Sequence, residues 1–470
     1  MTFLVTIGGN MHRRMIVVSV ALLAFSAVIG ASPGHAAVTS NWSAYLHGPR
    51  HSSDAGDSTA ITPANAARLT AAWTFTPPAK TGTTNVFNAS PVTYGGTVYI
   101  GAGTGDFYAV NETTGQVRWR KVLPPYTGCS TRGITSTATV ARDPVGGVLT
   151  VYVAAADHYL YALNAATGAT RWRSLVGGTS TTFYNWASPT VVGGNIYQVV
   201  SSNCEVFTNP AGVVKYDQHT GAKLAAYTTA APGQTSGIPN VYTSALADGA
   251  GNVYVTTGDG LGGDSMALVR LRASDLHRQG AWLLPHPGDN SDFNASPAFF
   301  TAAAGTMVGA CNKDGVYYAF RASAIGAGPV WSRRLGISYA EQPNQLRFCG
   351  GSSAFDASGK TLLIGANQDS LSSTVLGSAY SLNPDTGAVR WRTGLPNGPV
   401  IGSVSVNGAG VVAAPTYNAG TTSGAVYLLA ETTGAILRTI TTTAPVFAQP
   451  AFSDGYLLIA AGARLTAYRP

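Results

Sequence analysis

Charge is scarce in this chain: Lys, Arg, Asp and Glu together make up 10% of its 470 residues. Such a composition leaves little material for solvated helices, which carry charged outer faces. No Lys or Arg run exceeds two neighbours, so the formal net charge of +7 is scattered, and nucleic acid is excluded as a partner. Only four cysteines occur, none in a Cys-x-x-Cys-His pattern, and covalent haem is thereby excluded. Beyond residue 29 no stretch is apolar enough to anchor the chain in a membrane. A Gly-x-Ser-x-Gly elbow, a His-Glu-x-x-His helix and a Walker loop are all missing. The Gly101-Ala-Gly-Thr-Gly105 run falls between strands and reads as a turn. His47, His51, His158, His219, His277 and His286 show no ligand spacing and read as loop or surface residues.

What the chain has instead is glycine (56), tyrosine (22) and repetition. Tyr161-Ala-Leu-Asn-Ala-Ala-Thr-Gly-Ala-Thr-Arg-Trp172 returns with drift at 108–119 and 380–391. Weaker copies lie around Gly221, Trp331 and Gly434. One unit reads as four short strands separated by turns: Ser90-Pro-Val-Thr93, Thr97-Val-Tyr-Ile100, Asp106-Phe-Tyr-Ala-Val110 and Gln116-Val-Arg-Trp119. A sheet this small cannot bury both faces alone, so its copies must stack around an axis. The Thr-Gly supplies a positive-φ turn, and the Trp fills the gap between neighbouring sheets. First strands begin near Ser90, Ser136, Ser188, Ser244, Ser296, Ser353, Ser403 and Gln449. The last unit lacks its outer strand, while Leu69-Thr-Ala-Ala-Trp73 is an orphan. The fold expected is all-β: an eight-bladed β-propeller of four-stranded antiparallel blades, its ring closed by the N-terminal strand around Trp73.

Residues 1–37 read as a secretory signal peptide, with His12-Arg-Arg14, the apolar run 15–29 and Gly34-His-Ala36 as its three regions. The start is Met1 or Met11, and Met11 is the more natural. Residues 38–470 then form a single propeller domain, secreted or otherwise extracytoplasmic. In an oxidising space four cysteines allow three pairings, and the sequence does not choose among them. Position in neighbouring blades favours Cys129 with Cys204 and Cys311 with Cys349.

Asn41-Trp-Ser-Ala-Tyr45, followed by Ile61-Thr-Pro-Ala-Asn-Ala-Ala-Arg-Leu69-Thr-Ala-Ala-Trp73, resembles the opening sequence of the pyrroloquinoline-quinone (PQQ) dependent alcohol dehydrogenases. The repeats resemble that family's tryptophan-docking motifs, and the likeness extends over nearly the whole mature chain. They are also shared with non-catalytic propellers, including the outer-membrane assembly lipoprotein. Fold therefore follows from the repeats, and chemistry only from site residues.

The resemblance implies a site. Ser202-Asn-Cys-Glu205 is similar to the stretch whose glutamate binds calcium, making Glu205 a metal ligand. Tyr242 and Asp259 stand where the family places a Trp under the quinone and an Asn on the metal. Tyr still offers an aromatic face, and Asp is a harder oxygen ligand than Asn. Pro285-His-Pro-Gly-Asp-Asn-Ser-Asp292-Phe-Asn294 resembles the family motif whose second aspartate is the catalytic base, which assigns that role to Asp292. Asn294 replaces the extra aspartate of lanthanide-using members, and calcium is the metal implied. Lys313 matches the basic residue on the quinone oxygens, Arg132 the arginine on a cofactor carboxylate, and Asn88 a Glu or Gln touching the cofactor. The family's vicinal disulfide has no counterpart here. Each assignment has a plain rival: Asp292 as a turn residue capping amides, Lys313 as a hairpin residue, Tyr242 as blade packing.

Two functions follow. One is a secreted quinoprotein dehydrogenase, binding PQQ and calcium and acting on an alcohol, polyol or hydroxylated polymer. It resembles the polyvinyl-alcohol dehydrogenase branch and, having no haem, passes electrons to a separate acceptor. The other is a quinone-free propeller whose rim binds a protein or glycan.

Overall fold

The computed structural model describes residues 40–128, 131–203, 206–288, 290–338, 349–367, 375–418 and 420–470. The expected signal peptide and the expected Cys129–Cys204 bond lie outside the described residues. Cys311 and Cys349 are joined in a disulfide, their Cα atoms 5.3 Å apart.

Eight four-stranded antiparallel blades follow one another around a ring: blades 1 to 7 occupy 92–122, 139–175, 190–228, 246–283, 298–334, 354–395 and 405–442, and Asp54–Ala55 adds a parallel strand to blade 7. Blade 8 is made from both ends of the chain. Three C-terminal strands, Ala451–Ser453, Tyr456–Ala461 and Arg464–Arg469, receive Thr70–Phe75 as their outer strand, with Thr70 opposite Arg469. The expected closure around Trp73 is what the pairing shows.

The strands alternate because their cores do. In blade 1 the second and third strands, Thr97–Gly101 and Asp106–Asn111, are buried almost throughout, whereas the outer strand Val117–Val122 is mostly exposed. Exposed edge strands invite intermolecular pairing. None of the eight outer strands carries an acidic residue, and most carry Arg or Lys, so like charges face one another when two rims approach.

The inner ends are tied by a girdle. The backbone amide of Ser90 donates to Thr137 Oγ1 (2.9 Å), Thr137 to Ser188 Oγ (3.0 Å), Ser188 to Ser244 Oγ and Ser244 to Ser296 Oγ (both 2.9 Å). Ser352 donates to Ser403 Oγ, and Gln449 returns the series to Ser90 Oγ. The girdle uses Thr137 and Ser352, one residue away from the expected markers Ser136 and Ser353. A hydroxyl at that station crosslinks blades, which is why Ser or Thr stands just before the first strands of blades 1 to 7, with Gln449 at the station of blade 8.

A strap not foreseen from the repeats, residues 40–58, crosses one face. Carbonyls of Trp42, Ser43, Pro49, Arg50, Ser52 and Ser53 accept from the first-strand amides of Thr93, Val140, Ala247, Phe299, Phe355 and Val406. Six blades are thus bonded to one segment. Four of its non-glycine residues, Leu46, His47, His51 and Ser53, have φ between 50 and 62°. Such conformations cost free energy and persist only where surroundings enforce them. His51 corrects the surface expectation: it is buried, its Nδ1 lies 2.7 Å from Pro297 O, and burial lowers its pKa to about 4.

Candidate functional site

The residues just ahead of the first strands, where the girdle runs, line an axial cavity of about 180 Å³. Its wall includes Asn88, Trp186, Tyr242, Asn294 and Phe447, and the strap contributes Tyr45. Tyr45 ends the opening motif Asn41–Tyr45 but received no site role there, because that role depends on where the strap crosses the axis, which no local pattern encodes.

Four of the expected site residues converge beside this cavity. Tyr242 precedes blade 4 and Asp259 sits in its loop between second and third strands; Asp292 precedes blade 5 and Lys313 holds the matching turn there. Asp292 is nearly buried. Its Oδ2 accepts from Tyr242 Oη at 2.6 Å and from Lys313 Nζ, and its Oδ1 accepts from the Asp259 amide. The Lys313 amide also donates to the Asp292 carbonyl at 2.9 Å, fixing the two loops together. Lys313 Nζ further bonds Asn290 Oδ1 at 2.6 Å and lies 5.9 Å from the Tyr242 ring centre.

Burial alone would raise the Asp292 pKa, but the Lys313 charge and the three donors outweigh it and hold the carboxyl below its ordinary value. Tyr242 moves the other way: burial, with Asp292 beside it, raises its phenol well above normal, so it stays a neutral donor. The loop amide that Asp292 accepts belongs to Asp259 of blade 4, not to its own turn. What distinguishes it is an ammonium and a phenol on the same carboxylate.

Asn88 belongs to another part of the wall, and Arg132 reaches the cavity only through the wall residue Trp186. The Arg132 guanidinium stacks 4.8 Å above the Trp186 ring, and Trp186 packs edge-on to Tyr184, with ring centres 4.7 Å apart. Glu205 lies outside the described residues. Among the described residues no group of three His, Cys, Asp or Glu side chains is arranged to hold a metal.

The family model described as outer membrane protein assembly factor BamB matches residues 59–280 and 375–469, and the chain belongs to that family of PQQ-like repeat propellers. Among solved structures it is similar to the quinohemoprotein alcohol dehydrogenase from Comamonas testosteroni, with a TM-score of 0.70 and 17% identity. That match covers 93% of this chain and 81% of the other. A europium-containing methanol dehydrogenase matches with a TM-score of 0.74 and 14% identity, over 91% of this chain and 90% of that one. BamB from Moraxella catarrhalis gives 0.55 and 15%, over 86% and 100%. At these identities the likeness establishes the fold. A comparison with curated protein sequences finds no match. No helix among the described residues is long and apolar enough to cross a membrane.

Proposed function

We propose that this protein is an exported quinoprotein dehydrogenase that oxidises a hydroxylated substrate and hands electrons to a separate acceptor. The observation carrying this reading is the Asp292 carboxylate, held by Lys313, Tyr242 and the Asp259 amide at the edge of the axial cavity. A hydroxyl-to-carbonyl oxidation needs a base for the hydroxyl proton and a hydride acceptor. Asp292 is ionised at neutral pH and fits the first need. PQQ would supply the second, accepting the hydride.

The wall residues suit a planar, polycarboxylated ring system. Tyr242 and Trp186 offer aromatic surface and Asn88 an amide, while Arg132, outside the lining, stacks a cation on Trp186. Lys313 would neutralise negative charge near Asp292. Calcium would be held by Glu205 and Asp259; only Asp259 lies among the described residues, and no step is assigned to the metal.

A second reading has its own support. The Asp292–Lys313 pair is satisfied by protein groups alone, as a structural ion pair fixing two loops of blade 5 would be. The chain would then be a quinone-free propeller binding protein or glycan.

Calorimetric titration with PQQ, in calcium and in chelator, separates them. Calcium-dependent one-to-one binding supports the dehydrogenase, and Asp292→Asn should then keep binding while removing turnover of alcohols with an artificial acceptor. Absence of binding in both buffers supports the second reading.

A further inference from the structure

Five seams of the ring are locked alike. The rings of Trp73, Trp119, Trp172, Trp331 and Trp391 lie against the Thr-Gly glycines of the following blades: Gly115, Gly168, Gly221, Gly387 and Gly434. The seams on either side of blade 4 are built differently. Register places Ala225 of blade 3 and Gly280 of blade 4 at the tryptophan station, opposite Lys215 and Arg270. The seam 1/2 station pairs Ala109 with Trp119; here a cation faces a small residue instead. The cation crosses to the next blade: Lys215 Nζ donates to Ser274 O at 3.0 Å, and Arg270 Nη1 donates to Ser323 O.

This exchange leaves grooves on the strap face, about 240 Å³ between blades 3 and 4 and about 390 Å³ between blades 4 and 5. They meet at Asn252, which lines both, and neither shares a lining residue with the axial cavity.

The larger groove is cationic. Arg50 from the strap, Arg270 and Arg321 line it, against a single carboxylate, Asp248. That carboxylate is occupied by its own turn, accepting from the amides of Ala250 (2.7 Å) and Asn252 (2.9 Å) and from Asn252 Nδ2 (2.6 Å). Arg270 is oriented by Asn252 Oδ1 at 3.0 Å, and Arg50 sits 5.3 Å over the Phe299 ring; Arg50 and Arg321 are exposed. Guanidinium groups arrayed in this way match the planar oxygens of carboxylates and phosphates. The remaining wall, with Thr306, Ser323 and Asn252, and Asn195 and Ser274 in the adjoining groove, offers hydroxyl and amide partners for sugar hydroxyls.

We propose that these joined grooves bind an acidic polysaccharide, its carboxylate or phosphate groups on Arg50, Arg270 and Arg321 and its hydroxyls along the polar walls. The site is separate from the axial cavity and independent of whether a quinone binds there.

The test uses the full mature chain immobilised for binding measurements in low salt. Polygalacturonate and poly(glycerol phosphate) are the carboxylate and phosphate probes, with neutral dextran and poly-L-glutamate beside them. At least one acidic carbohydrate polymer should bind, more weakly as salt rises. R50E/R321E should weaken that binding about tenfold or more, a loss of roughly 1.4 kcal/mol. R464E/R469E, the same charge change on blade 8, should alter it less than about twofold. Arg321→Glu alone should show an intermediate loss, which keeps the test informative if strap substitution unsettles the fold. Equal losses in the two double variants, no binding of either acidic polymer, or equally tight binding of poly-L-glutamate would overturn the proposal.

Discussion

The locked seams and the two seams flanking blade 4 solve one problem with opposite chemistry. Where Trp119 meets Gly168, an apolar ring covers a glycine at φ 72° and its indole N–H donates to Ala165 O at 2.9 Å. A Cβ on Gly168 would lie 2.6 Å from the ring, so the seam depends on the missing side chain. Between blades 3 and 4 the glycine station belongs to Leu276, buried and at φ 60°, whose amide bonds back to Arg272 O as the turn glycines bond back in theirs. Leu276 and Ala225 replace glycine and tryptophan as a matched exchange of bulk. The indole's crossing hydrogen bond passes to Lys215. Repetition therefore gives way on both sides of the blade that carries Asp259, and there the molecule has room for grooves.

The largest expected effects come from removing an anchor on either side of this contrast. Trp331→Ala opens a cavity at a locked seam and should cost about 3–5 kcal/mol, read by chemical denaturation. Lys313→Met strands the buried Asp292 carboxylate and should cost a similar 3–5 kcal/mol. In that variant the Asp292 pKa should rise, which carboxyl NMR titration checks. A wild-type loss below about 1 kcal/mol in both would mean that neither anchor matters as argued.

The exchange at blade 4 gives a sharper measurement. Ala225→Trp alone should destabilise by overpacking against Leu276, and Leu276→Gly alone by leaving a void. A225W/L276G should recover stability, with a coupling of about 1–3 kcal/mol in the double-mutant cycle. Simple additivity would sink the idea that this seam is a swapped lock.

The smallest effect concerns pH. Glu112 and Glu431 hold the same turn position in blades 1 and 7 as Gln218 in blade 3. Gln218 donates its amide to Arg142 O (2.9 Å) and Tyr152 Oη (3.1 Å). Burial raises both glutamates to about 7, and for Glu431 the nearby Asp356 and Asp54 add to it. An acid whose folded pKa lies above its unfolded 4.5 holds its proton longer when folded, so stability falls as pH rises from about 4.5 to about 7. Glu431→Gln should raise the melting temperature at pH 8 by a few degrees and leave it almost unchanged at pH 5, as calorimetry can show. Equal changes at both pH values would remove ionisation as the cause.

Much of the ring was legible because its determinants are local. Thr-Gly needs only a turn, and Trp119, Trp172 and Trp391 recur at fixed distance from it, so eight units and closure through Trp73 follow by counting. The strap was not legible, since its six bonds to the first strands are carbonyls meeting amides from distant blades, which any side chain could supply. Leu276 concealed itself for the related reason that a buried leucine reads as core. At the candidate site, motif similarity led to Tyr242, Asp259, Asp292 and Lys313, and the fold brings them to one carboxylate. Arg132 and Asn88 came from the same similarity, but the fold sets Asn88 on another stretch of the wall and Arg132 over Trp186. That division depends on blade order, which a motif does not carry.

The eighth blade has a consequence in time. Its outer strand, Thr70–Phe75, is synthesised before the other seven blades, yet its partner Arg464–Arg469 arrives only after them. Until then the early strand has no sheet to join, and the strap has no complete ring to brace. Completing the propeller is therefore a late, long-range event, slow by the entropy of joining distant segments. Removing residues 464–469 should therefore unseat Thr70–Phe75 as well as the inner strands of the same blade.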